Sequence, residues 1–99
     1  MSAQEKPTGR RRVNFSLGRM VATPRALEVL THGDTFSALM RHARGDWGEL
    51  DSEDWASNER ALERGGRLFS AYRSAGGIKF WIITEADRSV TTVLLPEDY

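Results

Sequence analysis

The sequence of 99 residues contains no cysteine. Disulfide bonds, thiolate-bound metals and cysteine nucleophiles are therefore excluded. It also lacks any apolar run of the roughly 18–20 residues that cross a bilayer. Its longest apolar stretch, residues 78–83, is interrupted by Lys79. The first residues are polar and basic with no apolar run behind them, so we expect no secretory signal, no membrane association and a cytoplasmic location.

The short motifs of nucleotide-dependent enzymes and of the common hydrolases are also missing. The chain has two histidines, His32 and His42, and no carboxylate stands at ligand spacing on the same helix face. With no cysteine to complete a ligand set, we predict neither a metal nor another cofactor. His42 falls at the end of a predicted helix, where the helix dipole would raise its pKa and suit a general acid. The plainer interpretation is a surface residue.

Apolar residues make up 39% of the chain and charged residues 28%, which is typical of a small globular domain. The net charge of zero conceals an asymmetry. Residues 1–45 carry eight basic and three acidic side chains, whereas residues 46–99 carry six and eleven. Residues 1–12 show no apolar periodicity and are predicted to form a flexible basic tail ahead of a single domain at 13–99. In this tail Arg10, Arg11 and Arg12 are candidate nucleic-acid-binding residues, the alternative being a solvated tail.

Capping residues and apolar spacing predict three helices in the first two thirds of the chain. In chain order these cover residues 24–32 (capped by Thr23 and ended by Gly33), residues 35–44 (capped by Asp34), and a third stretch that is capped by Asp51 or Ser52 and runs to about residue 64. The second helix has the clearest pattern, because its apolar residues fall at intervals of three and four. We expect this stripe to be buried, and it consists of Phe36, Leu39, Met40 and Ala43.

The last third of the chain has strand patterns at residues 67–73, 78–84 and 89–95, after which Pro96 ends the pattern. The connections are too short for crossovers, so these strands are predicted to form an antiparallel meander. A weaker alternation makes residues 13–22 a candidate fourth strand. The fold class is therefore α+β, with two or three N-terminal helices packed on a C-terminal three- to four-stranded antiparallel β-meander.

The loop at residues 45–50 places Trp47 between two glycines and two acidic residues. A tryptophan in such a loop either plugs the core or anchors a partner, because tryptophan is enriched at binding hot spots. On the second interpretation Trp47, Asp46 and Glu49 are candidate partner-binding residues. The other two tryptophans, Trp55 and Trp81, are more simply explained as core.

Residues 84–92 are the densest polar cluster of the sequence. They are consistent with a plain hairpin turn with a local ion pair, and with a partner contact through Asp87 and Arg88. They also match the needs of metal-free RNA cleavage, with an acidic base, an arginine on the phosphate and hydroxyl donors. On that hypothesis the catalytic residues are Glu85, Arg88, Arg73, Thr91 and His42.

Two blocks, GDWGELD at residues 45–51 and ITEADRSVTTVLLPEDY at residues 83–99, resemble a family of small bacterial proteins encoded on plasmids and integrative elements. The similarity covers roughly residues 17–99. It implies a mobile-element accessory protein and carries no catalytic residue with it. Such a protein would bind a macromolecular partner, a protein or a nucleoprotein complex, for example to inhibit a host defence or restriction system without catalysis.

Residues 67–95 are also similar to the sheet of small toxin ribonucleases of the barnase and RelE-like type, in which a hairpin bearing threonine, aspartate and arginine supports the site. This likeness implies the alternative function, a small metal-free endoribonuclease. A third hypothesis is a structural subunit of a larger assembly. The sequence leaves all three open.

Overall fold

The computed structural model describes residues 15–99, so the predicted tail at 1–12 and its arginines lie outside the described residues. The elements follow in the order β1 (Arg19–Ala22), α1 (Pro24–Val29), α2 (His32–Ala43), α3 (Ser52–Arg64), β2 (Leu68–Arg73), β3 (Lys79–Thr84) and β4 (Val90–Leu94), with a 3-10 turn at Pro96–Asp98. None of the helices in this part of the chain is long and apolar enough to cross a membrane.

The helices begin where a side chain can satisfy free backbone N–H groups. Thr23 caps α1 as predicted, and Asp51 is the one of the two predicted candidates that caps α3. The predicted start of α2 at Asp34 is wrong, because Thr31 and Asp34 form a reciprocal capping box three residues earlier. The Thr31 hydroxyl accepts the Asp34 N–H, and the Asp34 carboxylate accepts the Thr31 N–H. Gly33 therefore lies in the first turn of α2 and does not end α1, which stops at Val29.

The four strands form one sheet in the order β1-β4-β3-β2. The two hairpin pairs, β2 with β3 and β3 with β4, are antiparallel as predicted. The prediction of a purely antiparallel sheet is wrong, because β1 pairs with β4 in parallel, with Arg19 opposite Val90. All three helices and two strands separate β1 from β4 in the chain, and so long a connection permits a parallel pair. The α+β class is confirmed, with a mixed sheet and with one strand ahead of the helices.

The helices cover one face of the sheet. On this helix-facing side, residues of β3 and β4 pack against α1 and α2 in a core cluster that includes Ala26, Leu30, Leu39, Phe80, Ile82 and Val93. A second cluster joins the 45–50 loop and α3 to β2 through Trp47, Leu50, Trp55 and Leu68. Trp81 lies on the opposite face, where it is half-buried against Phe69 and Tyr99. Of the two tryptophans expected in the core, Trp55 is therefore buried there and Trp81 is not.

The buried side of α2 is rotated from the predicted stripe. Its buried residues are Ala38, Leu39 and His42. Phe36 and Met40, both predicted to be core, are exposed. The sequence offered more apolar positions on this helix than the sheet could cover, and tertiary packing selected which of them are buried.

Candidate functional site

A series of hydrogen-bonded polar side chains lies between α2 and the sheet, at the end of the sheet where β3 ends and β4 begins. We call it the His42 network, and it consists of His42, Ser70, Thr84 and Thr91, none of which has measurable exposure to solvent. The Nδ1 atom of His42 is 2.5 Å from the Ser70 Oγ, and its Nε2 atom is 2.9 Å from the Thr84 Oγ1. The Thr84 Oγ1 is in turn 2.7 Å from the Thr91 Oγ1.

The direction of these hydrogen bonds is fixed from one end. Thr91 donates its hydroxyl proton to the Leu17 carbonyl at 2.6 Å, so it must accept from Thr84. Thr84, having given its only proton, accepts from the His42 Nε2–H. The Nδ1 atom then carries no proton and accepts from Ser70. The network is thus fully satisfied by a neutral imidazole with its proton on Nε2.

The predicted raised pKa of His42 is wrong. Burial, the larger cause, and the nearby positive charge of Arg88 together lower its pKa from 6.5 to about 3. The rings of Phe15 and Trp47 pack edge-on against the imidazole and complete its apolar surroundings. Because neither His42 nor Ser70 reaches solvent, this pair offers no nucleophile or acid to a substrate in this structure. The network joins α2 to three strands and to the segment before β1.

Arg88 lies in the hairpin between β3 and β4, with a positive φ of 63°. Its guanidinium donates to four backbone carbonyls, on Gly66 at 2.5 Å, Ala61 at 3.1 Å, Glu85 at 3.1 Å and Ala86 at 3.3 Å. The bond to Ala61 lies in the last turn of α3, where a cation is favoured by the helix dipole. Arg88 therefore ties the hairpin to the end of α3, and these bonds occupy the group proposed to hold a phosphate.

The two acidic residues of the hairpin also have structural partners. Glu85 forms an ion pair with Arg67 at 3.1 Å, and Arg67 donates to the Tyr99 hydroxyl at 2.7 Å. Asp87 accepts the N–H and the hydroxyl of Ser89, and these bonds lower the pKa of its carboxyl group. The hairpin is thus a turn with polar contacts, which is closest to the plainest of the three sequence interpretations, although Glu85 pairs with Arg67 of another segment and not within the turn.

The remaining residues of the ribonuclease hypothesis do not converge on this hairpin. Arg73 is opposite Lys79 at one end of the β2–β3 pair, while Glu85 follows Thr84 at the other end. The separation along a strand of six residues is on the order of 15 Å. Arg73 forms its ion pair with Glu49 at 3.4 Å. Thr91 is enclosed in the His42 network, so the five residues share no cleft.

The 45–50 loop holds Trp47 inside the protein. The indole is completely buried and its Nε1–H donates to Glu59 at 2.8 Å. Gly48 has a φ of +77°, and a Cβ there would collide with the Ala71 carbonyl, because the loop runs directly along β2. The interpretation of Trp47 as a partner anchor is therefore wrong, since a buried ring has no surface to offer. Asp46 pairs with Arg41 at 2.8 Å, and Glu49 with Arg73.

An open apolar groove, which the sequence analysis missed, lies at the other end of the helix-facing layer. We call it the α1–α2 groove. It has a volume of about 500 Å³ and is lined mainly by Ala22, Ala26, Leu27, Leu30, Phe36, Leu39 and Val93. Leu27 is 68% exposed and Phe36 is 66% exposed, one on each helix. The surplus of apolar positions on α2 was the sequence signal for this surface.

Among the described residues, no group of histidine and carboxylate side chains could hold a metal ion. Comparison of the chain with protein-family models, with characterised proteins and with solved structures finds no match. The fold and the site thus define a small α+β protein with a mixed sheet, a closed polar network at one end and an apolar groove at the other.

Proposed function

We propose that this protein acts without catalysis by binding a macromolecular partner through the α1–α2 groove. The observation that carries the proposal is the pair Leu27 and Phe36, two large apolar side chains that project from neighbouring helices into solvent beside the groove. Isolated exposed apolar residues are common on protein surfaces. A contiguous apolar surface around a cavity is characteristic of an interaction site.

The state of the candidate catalytic residues supports the same proposal. His42 and Thr91 are buried, Arg88 binds backbone carbonyls, and Glu85 and Arg73 form separate ion pairs. Each of these side chains has a structural contact that accounts for its presence. The ribonuclease alternative therefore has no specific observation in its favour.

The resemblance of the two sequence blocks to mobile-element proteins suggests what the partner is. We propose a protein or nucleoprotein complex of a host defence or restriction system in the cytoplasm, which this protein inhibits by occupying a surface. Nucleic-acid contact through Arg10, Arg11 and Arg12 stays a prediction of the sequence.

The proposal is tested by capturing partners with the tagged full-length chain and three variants. Leu27→Asp and Phe36→Asp place a charge on the groove at exposed positions, so both variants should fold. Ile78→Asp is the matched control, because Ile78 is also an exposed apolar residue, 36% accessible, but lies beside the β2–β3 turn. We expect a stoichiometric companion with the wild type and Ile78→Asp that is lost with both groove variants.

A companion that is retained by both groove variants would contradict the proposal. So would degradation of cellular RNA on overexpression that is relieved by Glu85→Ala, since that result would establish the enzyme instead. Circular dichroism of each variant checks that loss of binding does not come from loss of folding.

A further inference from the structure

The outer edge of β1 has backbone groups with no partner among the described residues. Arg19 donates its N–H to the Ser89 carbonyl at 2.9 Å, and Thr23 donates to the Val93 carbonyl at 3.0 Å. Because successive residues of a strand point their N–H and C=O groups to opposite sides, Met20 and Ala22 direct theirs away from β4. Such an edge can pair with another extended chain.

The opposite edge of the sheet is closed. On the outer side of β2, Ala71 donates to the Trp47 carbonyl at 3.2 Å and accepts from Glu49 at 2.7 Å. Two residues before Ala71 on the same strand, Phe69 is also paired, because the Asn58 side chain donates to its carbonyl and accepts its N–H. Within the described residues, the sheet can therefore gain a strand only at β1.

The open edge and the α1–α2 groove are continuous, because Ala22 belongs to both. The side chain of Ala22 is on the helix-facing side of the sheet, opposite Val93, which also lines the groove. In a strand added beside β1, the residue opposite Ala22 would point to the same side. A large apolar side chain at that position would enter the groove.

The charge around β1 specifies the partner further. Arg19 is exposed and has no ion pair among the described residues, and its side chain is on the face opposite the groove. Arg25, at the start of α1, has the Glu97 carboxylate at 3.9 Å, and both side chains are more than 60% exposed. Its charge also acts on the carboxylate of Asp98 and contributes to the lowered pKa of that group. A carboxylate on the incoming strand opposite Arg19 would complement this charge, and it would lie three residues from the apolar residue opposite Ala22.

We infer that the groove takes an extended acidic segment of the partner, which adds a fifth strand at β1, with a bulky apolar side chain in the groove and an aspartate or glutamate three residues away. This inference rests on the proposed function and names the kind of segment bound. Strand addition supplies affinity through backbone hydrogen bonds, and the groove and Arg19 supply selectivity.

The test uses synthetic twelve-residue peptides and the isotope-labelled full-length chain. One peptide carries a central leucine with glutamate three residues to each side, a second replaces both glutamates by lysine, and a third replaces the leucine by serine. We expect only the first to bind, with shifts of the Met20 and Ala22 amide signals in NMR spectra and slower hydrogen exchange of both amides. Binding without slower exchange at these two amides would overturn the inference, because a helix in the groove leaves them open.

The backbone bonds are tested by methylating single peptide nitrogens. Methyl groups at alternate positions should abolish binding, and those at the positions between should be tolerated, since only every second N–H faces β1. On the protein, Arg19→Glu should weaken binding of the glutamate peptide by up to about fivefold and favour binding of the lysine peptide, as expected for an exposed ion pair of up to about 1 kcal/mol. Uniform tolerance of methylation would contradict strand addition.

The failure of this inference is distinguishable from the failure of the proposed function. Met20→Pro removes one outward N–H of β1. If capture of the companion depends on Leu27 and Phe36 but is unaffected by Met20→Pro, the groove is an interaction site and the strand addition is wrong. If the chain alone forms a dimer by light scattering that Met20→Pro dissociates, β1 pairs with a second copy, which also overturns the inference.

Discussion

The two ends of the layer between the helices and the sheet differ in what they bury: one encloses polar side chains and the other leaves apolar side chains exposed. At one end, the His42 network brings four polar side chains out of contact with water and pairs each of them. At the other end, the α1–α2 groove leaves apolar side chains in contact with water beside a cavity. Buried polar groups are tolerated when all are satisfied, whereas exposed apolar surface has an unfavourable free energy until something covers it.

This contrast assigns stability to one end and recognition to the other. The His42 network links α2 to β2, β3 and β4, so its loss affects several elements together. The groove side chains Leu27 and Phe36 are mostly exposed, so folding removes little of their surface from water. Substitutions at each end, and a change of pH, test this assignment.

The largest effect is expected from His42→Ala. The substitution leaves a cavity, and it removes the acceptor of the Ser70 hydroxyl and the donor to Thr84 at a site buried from solvent. We expect a loss of about 4 kcal/mol in the free energy of unfolding. Urea denaturation followed by fluorescence measures it. A loss below about 1 kcal/mol would show that the network is not what stabilises this end.

Low pH should lower the free energy of unfolding through protonation of His42 at the same end of the molecule. Its pKa is 6.5 when unfolded and about 3 when folded, so the unfolded state takes up a proton first. The stabilisation from a neutral His42 is complete above pH 6.5 and is lost as the pH falls towards 3, by about 1.4 kcal/mol per pH unit. Denaturation between pH 7 and 5 measures this slope. His42→Leu should remove it, and an NMR titration should show a neutral imidazole at pH 5.

A smaller loss is expected from Thr84→Val, which preserves the shape of the side chain. The substitution leaves the His42 Nε2–H without an acceptor and Thr91 without a donor. We expect a loss of about 2 kcal/mol, smaller than for His42→Ala because no cavity forms. Thermal denaturation compares the two variants. An equal loss in both would mean that the hydrogen bonds outweigh the packing of the imidazole.

The smallest effect is expected from Phe36→Ala at the groove. Because this ring is 66% exposed, its truncation should change the free energy of unfolding by less than about 0.5 kcal/mol. The same variant should lose the companion described under Proposed function. A loss of stability comparable to that of Thr84→Val would contradict the separation of stability from recognition.

Local structure was largely predictable from the sequence. The caps Thr23 and Asp51 begin helices as expected, and the three strands of the meander pair in the predicted way. These features depend on near neighbours in the chain, whose chemistry can be read directly. The error at the start of α2 is of the same kind, because both Asp34 and Thr31 are good capping residues and the structure uses them together.

The candidate site was far less predictable. His42 was expected at the surface from its place at the end of a helix, but the rotation of α2 buries it over β2 and β3. Arg88 was expected in a local ion pair, against a partner or on a phosphate, but α3 ends close enough for the Ala61 carbonyl to accept from the guanidinium. Both outcomes depend on distant segments of the chain, so no local pattern contains them.

The helices and three of the strands follow from local signals in the sequence, because capping groups and apolar spacing act over a few residues. Long-range packing places β1 parallel to β4, buries His42 within a polar network and leaves Phe36 exposed to solvent. Each of those outcomes follows from which surfaces meet when the sheet and helices pack together. The position of a residue in the chain does not specify these packing contacts.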